Sequence, residues 1–272
     1  MLDNIKSLYI LKKIITNLSE RRRLNLINNN KNLQNKLNIS IDNYIKYYNQ
    51  IEIEIIPDKI EIHNENRFIN IINEIDKSFY HIYFNDENKE IKRNYFTKDE
   101  NVSKIKVLID MEVKSIEALF FECYCIEEIK FIKFNRTDFN DYNSMFYFCS
   151  NLKNIDIKKL KTNNIENMEY MFGLCESIEK LDLSNFVTDK VKTMHKMFES
   201  CSSLKELNIS NFKFNKSKDV EYMFNFCSET LKNKIKNKYL DINDDAFYDD
   251  IDDNVCDNTY SYDSYDCDCD CD

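Results

Sequence analysis

Ten cysteines and three histidines are the residues of this 272-residue chain best suited to chemistry. A thiolate can serve as nucleophile or soft metal ligand, and an imidazole can act as its base. Cys123, Cys149, Cys175, Cys201 and Cys227 recur every 26 residues, while Cys267, Cys269 and Cys271 alternate with aspartates in the last stretch. The histidines, His63, His81 and His195, do not follow the 26-residue step. No Cys–His dyad or metal-spaced Cys/His set can therefore be written, and the expectation is no catalytic residue, no metal site and no cofactor. The CxCxC run lacks the CxxC spacing of closed zinc sites. It reads either as a flexible acidic tail or as a place where thiolates and carboxylates hold a soft or borderline metal. His195, between Met194 and Met197, is expected to face solvent. A single glycine, Gly173, and a single proline, Pro57, exclude Walker, dinucleotide and GxSxG loops, each of which needs at least two glycines. Asn and Asp are then expected to supply most left-handed turn positions.

What positions the cysteines is a repeat. Met145-Phe146, Met171-Phe172, Met197-Phe198 and Met223-Phe224 keep the same step, with Leu119-Phe120 one unit earlier. After each cysteine come apolar columns: Ile126, Leu152, Ile178 and Leu204; Ile129, Ile155, Leu181 and Leu207; Phe131, Ile157, Leu183 and Ile209; Phe134, Leu160, Phe186 and Phe212. Before each Met-Phe pair stand Val113, Phe139, Ile165 and Val191, then Ile116, Tyr142, Met168 and Met194. The alternating positions after the cysteine predict a short strand, and the stretch before it predicts a short helix or 3₁₀ turn. One copy cannot bury its apolar stripe, but stacked copies can. The cysteines then read as stacked core residues, since a free thiol packs as a small hydrophobe. Asp182, opposite Leu181 and Leu183, is not a partner for Cys175.

The segment "MFGLCESIEKLDLSNFVTDKVKTMHKMFESCSSLKELNISNF" resembles the BspA-like leucine-rich repeat family, over about residues 105–230. The earlier units "FIKF" and "IDIKKL" lack its Ser-Asn pair. The resemblance implies an α/β leucine-rich repeat solenoid of 26-residue strand-plus-short-helix coils. It also implies a stacked Phe/Leu spine through Phe134, Leu160, Phe186 and Phe212, and bacterial members of the family are often surface-exposed.

Five regions are expected along the chain. Residues 1–50 form a helical module, with Leu8, Leu11, Ile14 and Leu18 on one helix, Ser19 capping a second that turns Leu24, Ile27, Leu33 and Leu37 inward, and Ile41, Tyr44, Ile45 and Tyr48 on a third. "YILKKIITNLSERRRLNLINNNKNLQ" is weakly similar to an F-box, without its leading Leu-Pro. Arg21, Arg22 and Arg23 face a partner or solvent. Residues 51–104 form a β-rich junction in which "IEIEIIPDKIEIH" and "FYHIYFNDENKEIKRNYF" each read as a hairpin. Residues 105–228 are the repeats, 229–247 a cap helix carrying Leu231, Ile235 and Tyr239, and 248–272 a disordered acidic tail.

The net charge of −10 is uneven: residues 239–272 hold 13 aspartates and no basic residue, leaving residues 1–238 at +3. No broad basic face marks a nucleic-acid binder. The charged N-terminal segment is no signal peptide and no apolar run is long enough to span a bilayer, so the expected location is cytoplasmic. The expected function is non-catalytic protein binding through the exposed side of the strands, at Glu128, Lys130, Asn154, Asp156, Lys180, Asp182, Glu206 and Asn208. The F-box similarity would add a Skp1-like partner and a substrate-adaptor role in a ubiquitin ligase. The alternative is a cell-surface or host-contact adhesin.

Overall fold

The computed structural model describes residues 7, 18, 22, 26, 27, 29–37, 41–58, 65–214 and 218–249. Most of the first expected helix, Ser19, Arg21, Arg23, His63 and residues 250–272 lie outside the described residues.

The central strand is β1, Ile51–Pro57, whose alternation puts Ile51, Ile53 and Ile55 fully inside. The intervening Glu52 and Glu54 carboxylates meet Lys106 on the neighbouring strand and Lys104 just before it, at 3.0 and 2.8 Å. That neighbour is β6, Ile105–Ile109, antiparallel to β1 on one side, and β7, Ile126–Lys133, is antiparallel to it on the other. The expected hairpin around Pro57 is thus not what pairs β1, and residues 59–64 lie outside the described ones. The second hairpin forms, between β3 (Tyr80–Phe84) and β4 (Glu90–Ile91). It turns through Asn85 and Asp86, both left-handed, the conformation these two residue types tolerate best. A small ribbon pairs β2, Glu65–Arg67, with β5, Tyr95–Thr97. Helices α1 (Lys31–Leu37) and α2 (Ile41–Asn49) precede the sheet and bury Leu33, Leu37 and Tyr44, and Ile27 ahead of them is buried too.

The expected α/β leucine-rich repeat solenoid of strand-plus-short-helix coils is corrected by this architecture. The chain is a mixed α/β protein built on one six-stranded mixed sheet, in the order β4-β3-β6-β1-β7-β8, where β8 is Asn154–Asp156. β8 is parallel to β7, and a separate parallel pair joins β9 (Lys180–Asp182) to β10 (Glu206–Asn208). Among the described residues of units 114–227 there is no helix, and each Met-Phe segment is a run of turns.

The hydrogen bonds give the reason. An α-helix sends every N–H back into its own turn. Here they alternate. The amides of Phe121 and Cys123 bond to Ala118 and Phe120, while those of Ala118, Phe120 and Glu122 cross to the carbonyls of Asn143, Met145 and Tyr147 in the next unit, and the later units repeat this. The alternation bends the backbone into the left-handed region twice per unit, at Ala118 and Glu122, Ser144 and Phe148, Tyr170 and Leu174, Lys196 and Ser200, and Tyr222 and Phe226. Such a conformation costs about 1–2 kcal/mol for a residue with a Cβ. The inter-unit bond made by the same residue offsets that cost, so ordinary side chains stand where Asn and Asp were expected. Gly173 is not left-handed. A Cβ there would lie 2.8 Å from the Tyr147 ring, so its role is steric.

The apolar columns are buried as expected apart from Ile155, which is half-buried, and one aromatic ladder runs through them. Phe120, Phe146, Phe172, Phe198 and Phe224 stack at 5.3–5.8 Å with nearly parallel rings. Both ends are closed by impostors. At the start, Asn70 donates its amide to Leu119 and its side chain to Ala118. At the end, Phe247 stacks on Phe224 at 5.3 Å, and the carbonyls of Asp245 and Ala246 accept the amides of Tyr222 and Phe224. Ala246-Phe247 therefore stands where another Met-Phe pair would. The expected cap helix over 229–247 is shorter: α3 spans Glu229–Lys238, with Leu231 and Ile235 buried, and a 3₁₀ turn, Asp244–Phe247, completes the closure.

Candidate functional faces

The cysteines form a column inside the stack. Cys149, Cys175, Cys201 and Cys227 donate their thiols to the carbonyls of Phe120, Phe146, Phe172 and Phe198 at 3.0–3.1 Å. Burial pushes Cys123, Cys149, Cys175 and Cys201 well above the ordinary thiol range and Cys125 and Cys227 up to about 12. A thiol held neutral, and already donating to a carbonyl, is poor as a nucleophile or as a metal ligand.

The strand face is assembled much as the spacing implies. Lys130, Asn154, Lys180, Asp182 and Glu206 are exposed, and Glu128, Asp156 and Asn208 are half-buried. Register sets Glu128 beside Asn154, Lys130 beside Asp156, Lys180 beside Glu206, and Asp182 beside Asn208. Lys180 and Glu206 form an ion pair at 2.9 Å, and hydrogen bonds from Ser184 hold the Asp182 carboxyl below its usual range. The face is therefore charged but internally matched. It is also split, because no ladder joins β8 to β9.

The opposite, turn-side face was not anticipated. There Asp141, Asn167, Thr193 and Asp219 pair in an uninterrupted series of parallel bridges. Each caps its own turn: Asp141, Asn167, Thr193 and Asp219 accept the amides of Asn143, Glu169, His195 and Glu221. The turn segments (115–124, 141–150, 167–176, 193–202, 219–228) carry eight Asp/Glu and one Lys, whereas the stretches between them up to residue 218 carry fourteen Lys/Arg and nine Asp/Glu. Charge is thus segregated across the units, a pattern invisible in the average composition.

His195 sits on this acidic side and is not simply solvated. Its side chain is 20% exposed, and its ring meets the edges of Tyr170 and Tyr222 at 5.8 and 6.0 Å. Its Nδ1 is 3.9 Å from Asp219 Oδ1, and with Glu221 it gives three potential ligand atoms within 4.8 Å of one another. The three residues come from neighbouring units, so only the 26-residue stacking step, applied to polar positions, could have found them. His81 lies elsewhere, clamped on the sheet between Glu90 (2.8 Å) and Asp110 (3.0 Å).

Comparison with known families supports the repeat resemblance. Residues 114–238, a little under half the chain, match the family described as "Mycoplasma protein of unknown function, DUF285". Nothing supports the F-box similarity of the N-terminal residues. No curated protein and no solved structure matches the chain. Among the described residues, no helix is long and apolar enough to cross a membrane.

Proposed function

We propose that this chain is a non-catalytic interaction protein that binds another protein through the exposed face of β7–β10. The observation carrying the reading is the alternation on those short strands. Leu181 and Leu207 point into the core while Lys180, Asp182 and Glu206 project outward in matched columns. A rigid, mixed-charge surface on stacked units suits recognition of a protein, where complementary charge selects the partner and fixes its register. The buried, neutral thiols support the absence of catalysis by the repeat cysteines.

Affinity capture with the full chain tests this. A Lys180→Glu/Glu206→Lys variant keeps the ion pair but reverses its polarity, and it is expected to lose a partner that a Lys234→Glu variant on α3 retains. Equal capture by both variants would remove the strand face as the binding surface.

A further inference from the structure

We propose that His195, Asp219 and Glu221 form a binding site for a divalent first-row transition ion, held by one imidazole nitrogen and two carboxylate oxygens. The donor set is of a kind that suits such ions: imidazole favours zinc, copper, nickel and iron, and carboxylates supply charge. The spacing is close to a coordination sphere. Ligand atoms about 2.0–2.2 Å from one metal lie about 3 Å apart. The separations here, 3.9 Å from His195 Nδ1 to Asp219 Oδ1 and at most 4.8 Å overall, close with small side-chain movements.

The scaffold limits the cost of ordering the ligands. Backbone bonds from Met194 to Asp219 (2.8 Å) and from Lys196 to Glu221 (3.1 Å) fix the two units in register. The Asp219 carboxylate is aimed by two donors, the Glu221 amide at 3.0 Å and the Thr193 hydroxyl at 3.4 Å. The His195 ring is held between two tyrosines. Outer partners that orient a carboxylate in this way are a recurring part of metal sites. The nearby Lys196 ammonium is drawn to Glu199 at 3.3 Å.

Two further observations single out this position. In the column running Glu117, Asn143, Glu169, His195, Glu221, only His195 brings a nitrogen ligand of this type. The whole turn side is also the acidic face, and a surface dominated by one sign of charge raises the local concentration of its counter-ions. The site is independent of the strand-face reading, since it lies on the opposite side of the units.

The test is a Co²⁺ titration of the full chain in which Cys256, Cys267, Cys269 and Cys271 are replaced by serine, so that tail thiolates cannot compete. One ion per chain is expected, with visible ligand-field bands and no thiolate charge-transfer band. Affinity should fall about tenfold or more in His195→Gln and in Glu221→Gln, with thermal midpoints measured to establish folding. Glu221 is exposed, so its variant gives the readout even if His195→Gln is unstable. Absence of binding, a thiolate band, or unchanged affinity in a folded variant would overturn the proposal.

Discussion

On the turn side of the 26-residue units, one set of parallel bridges runs from Asp141 to Asp219 without a gap and six phenylalanine rings stack from Phe120 to Phe247. On the strand side the ladder runs from β7 to β8, stops, and resumes between β9 and β10. The materials differ as well. The interior next to the turns is neutral, made of Phe, Met and hydrogen-bonded thiols. The strand surface, like the antiparallel sheet it continues, is joined on its exposed side by charged pairs such as Lys180–Glu206 and Glu54–Lys104. The comparison teaches that register is held by buried volume and backbone bonds on the turn side, while exposed charge on the strands contributes little, as is usual for solvated ion pairs.

Alkali should break the turn side most severely. For a buried thiol the folded-state pKa is raised, so the unfolded chain loses its proton first. Stability is full below the unfolded value near 8.5 and falls as pH rises toward the folded one. Each such thiol contributes a slope of about 1.4 kcal/mol per pH unit in that window. Urea unfolding between about pH 9 and 10.5 should therefore steepen strongly, and Cys175→Ala should remove one thiol's share. An identical slope in the variant would show that the thiol column does not carry the effect.

Truncating the aromatic ladder is the next largest expected effect. Phe172→Ala removes a fully buried ring stacked on both sides and should cost about 3–5 kcal/mol in urea unfolding at neutral pH. Lys180→Gln, which breaks the strand-face ion pair, should leave the midpoint unchanged. Comparable losses in the two variants would erase the distinction between the faces.

The smallest effect sharpens the comparison on the sheet. Burial opposes charge on His81, but hydrogen bonds to Asp110 and Glu90 outweigh it and hold its pKa above the ordinary value. A raised folded pKa means that its stabilisation is complete below about pH 6.5 and is lost as pH rises through the folded value. The thermal midpoint of His81→Gln should therefore lie below that of the parent at pH 5.5 and converge on it by pH 9. A constant difference would mean that the clamp acts through packing alone.

Much of this was legible in the sequence. Met171, Phe172, Cys175, Ile178, Leu181, Leu183 and Phe186 are all buried, as their 26-residue counterparts imply. Apolar periodicity reports which side chains face inward. It does not report where an amide hydrogen goes, so turns that alternate between their own unit and the next look the same as a short helix. The closing Ala246-Phe247 was hidden because its methionine is replaced and its spacing shortened. The His195 cluster was hidden because it draws on two columns, one through Asp141, Asn167, Thr193 and Asp219 and one through Asn143, Glu169, His195 and Glu221, whose residue types change from copy to copy. The pairing of β1 with β6 and β7 depends on contacts distant in the chain, for which a local hairpin pattern is a poor guide.

The two impostor ends bear on how the gene could change length. Each end supplies the bonds that a further copy would supply to the unit it closes, and the interior junctions repeat the same alternating bonds. Removing or duplicating one whole 26-residue copy would leave all columns aligned, whereas a change of one residue fewer would rotate each downstream core position out of place. The chain is thus tolerant to variation in whole copies and intolerant to variation within them.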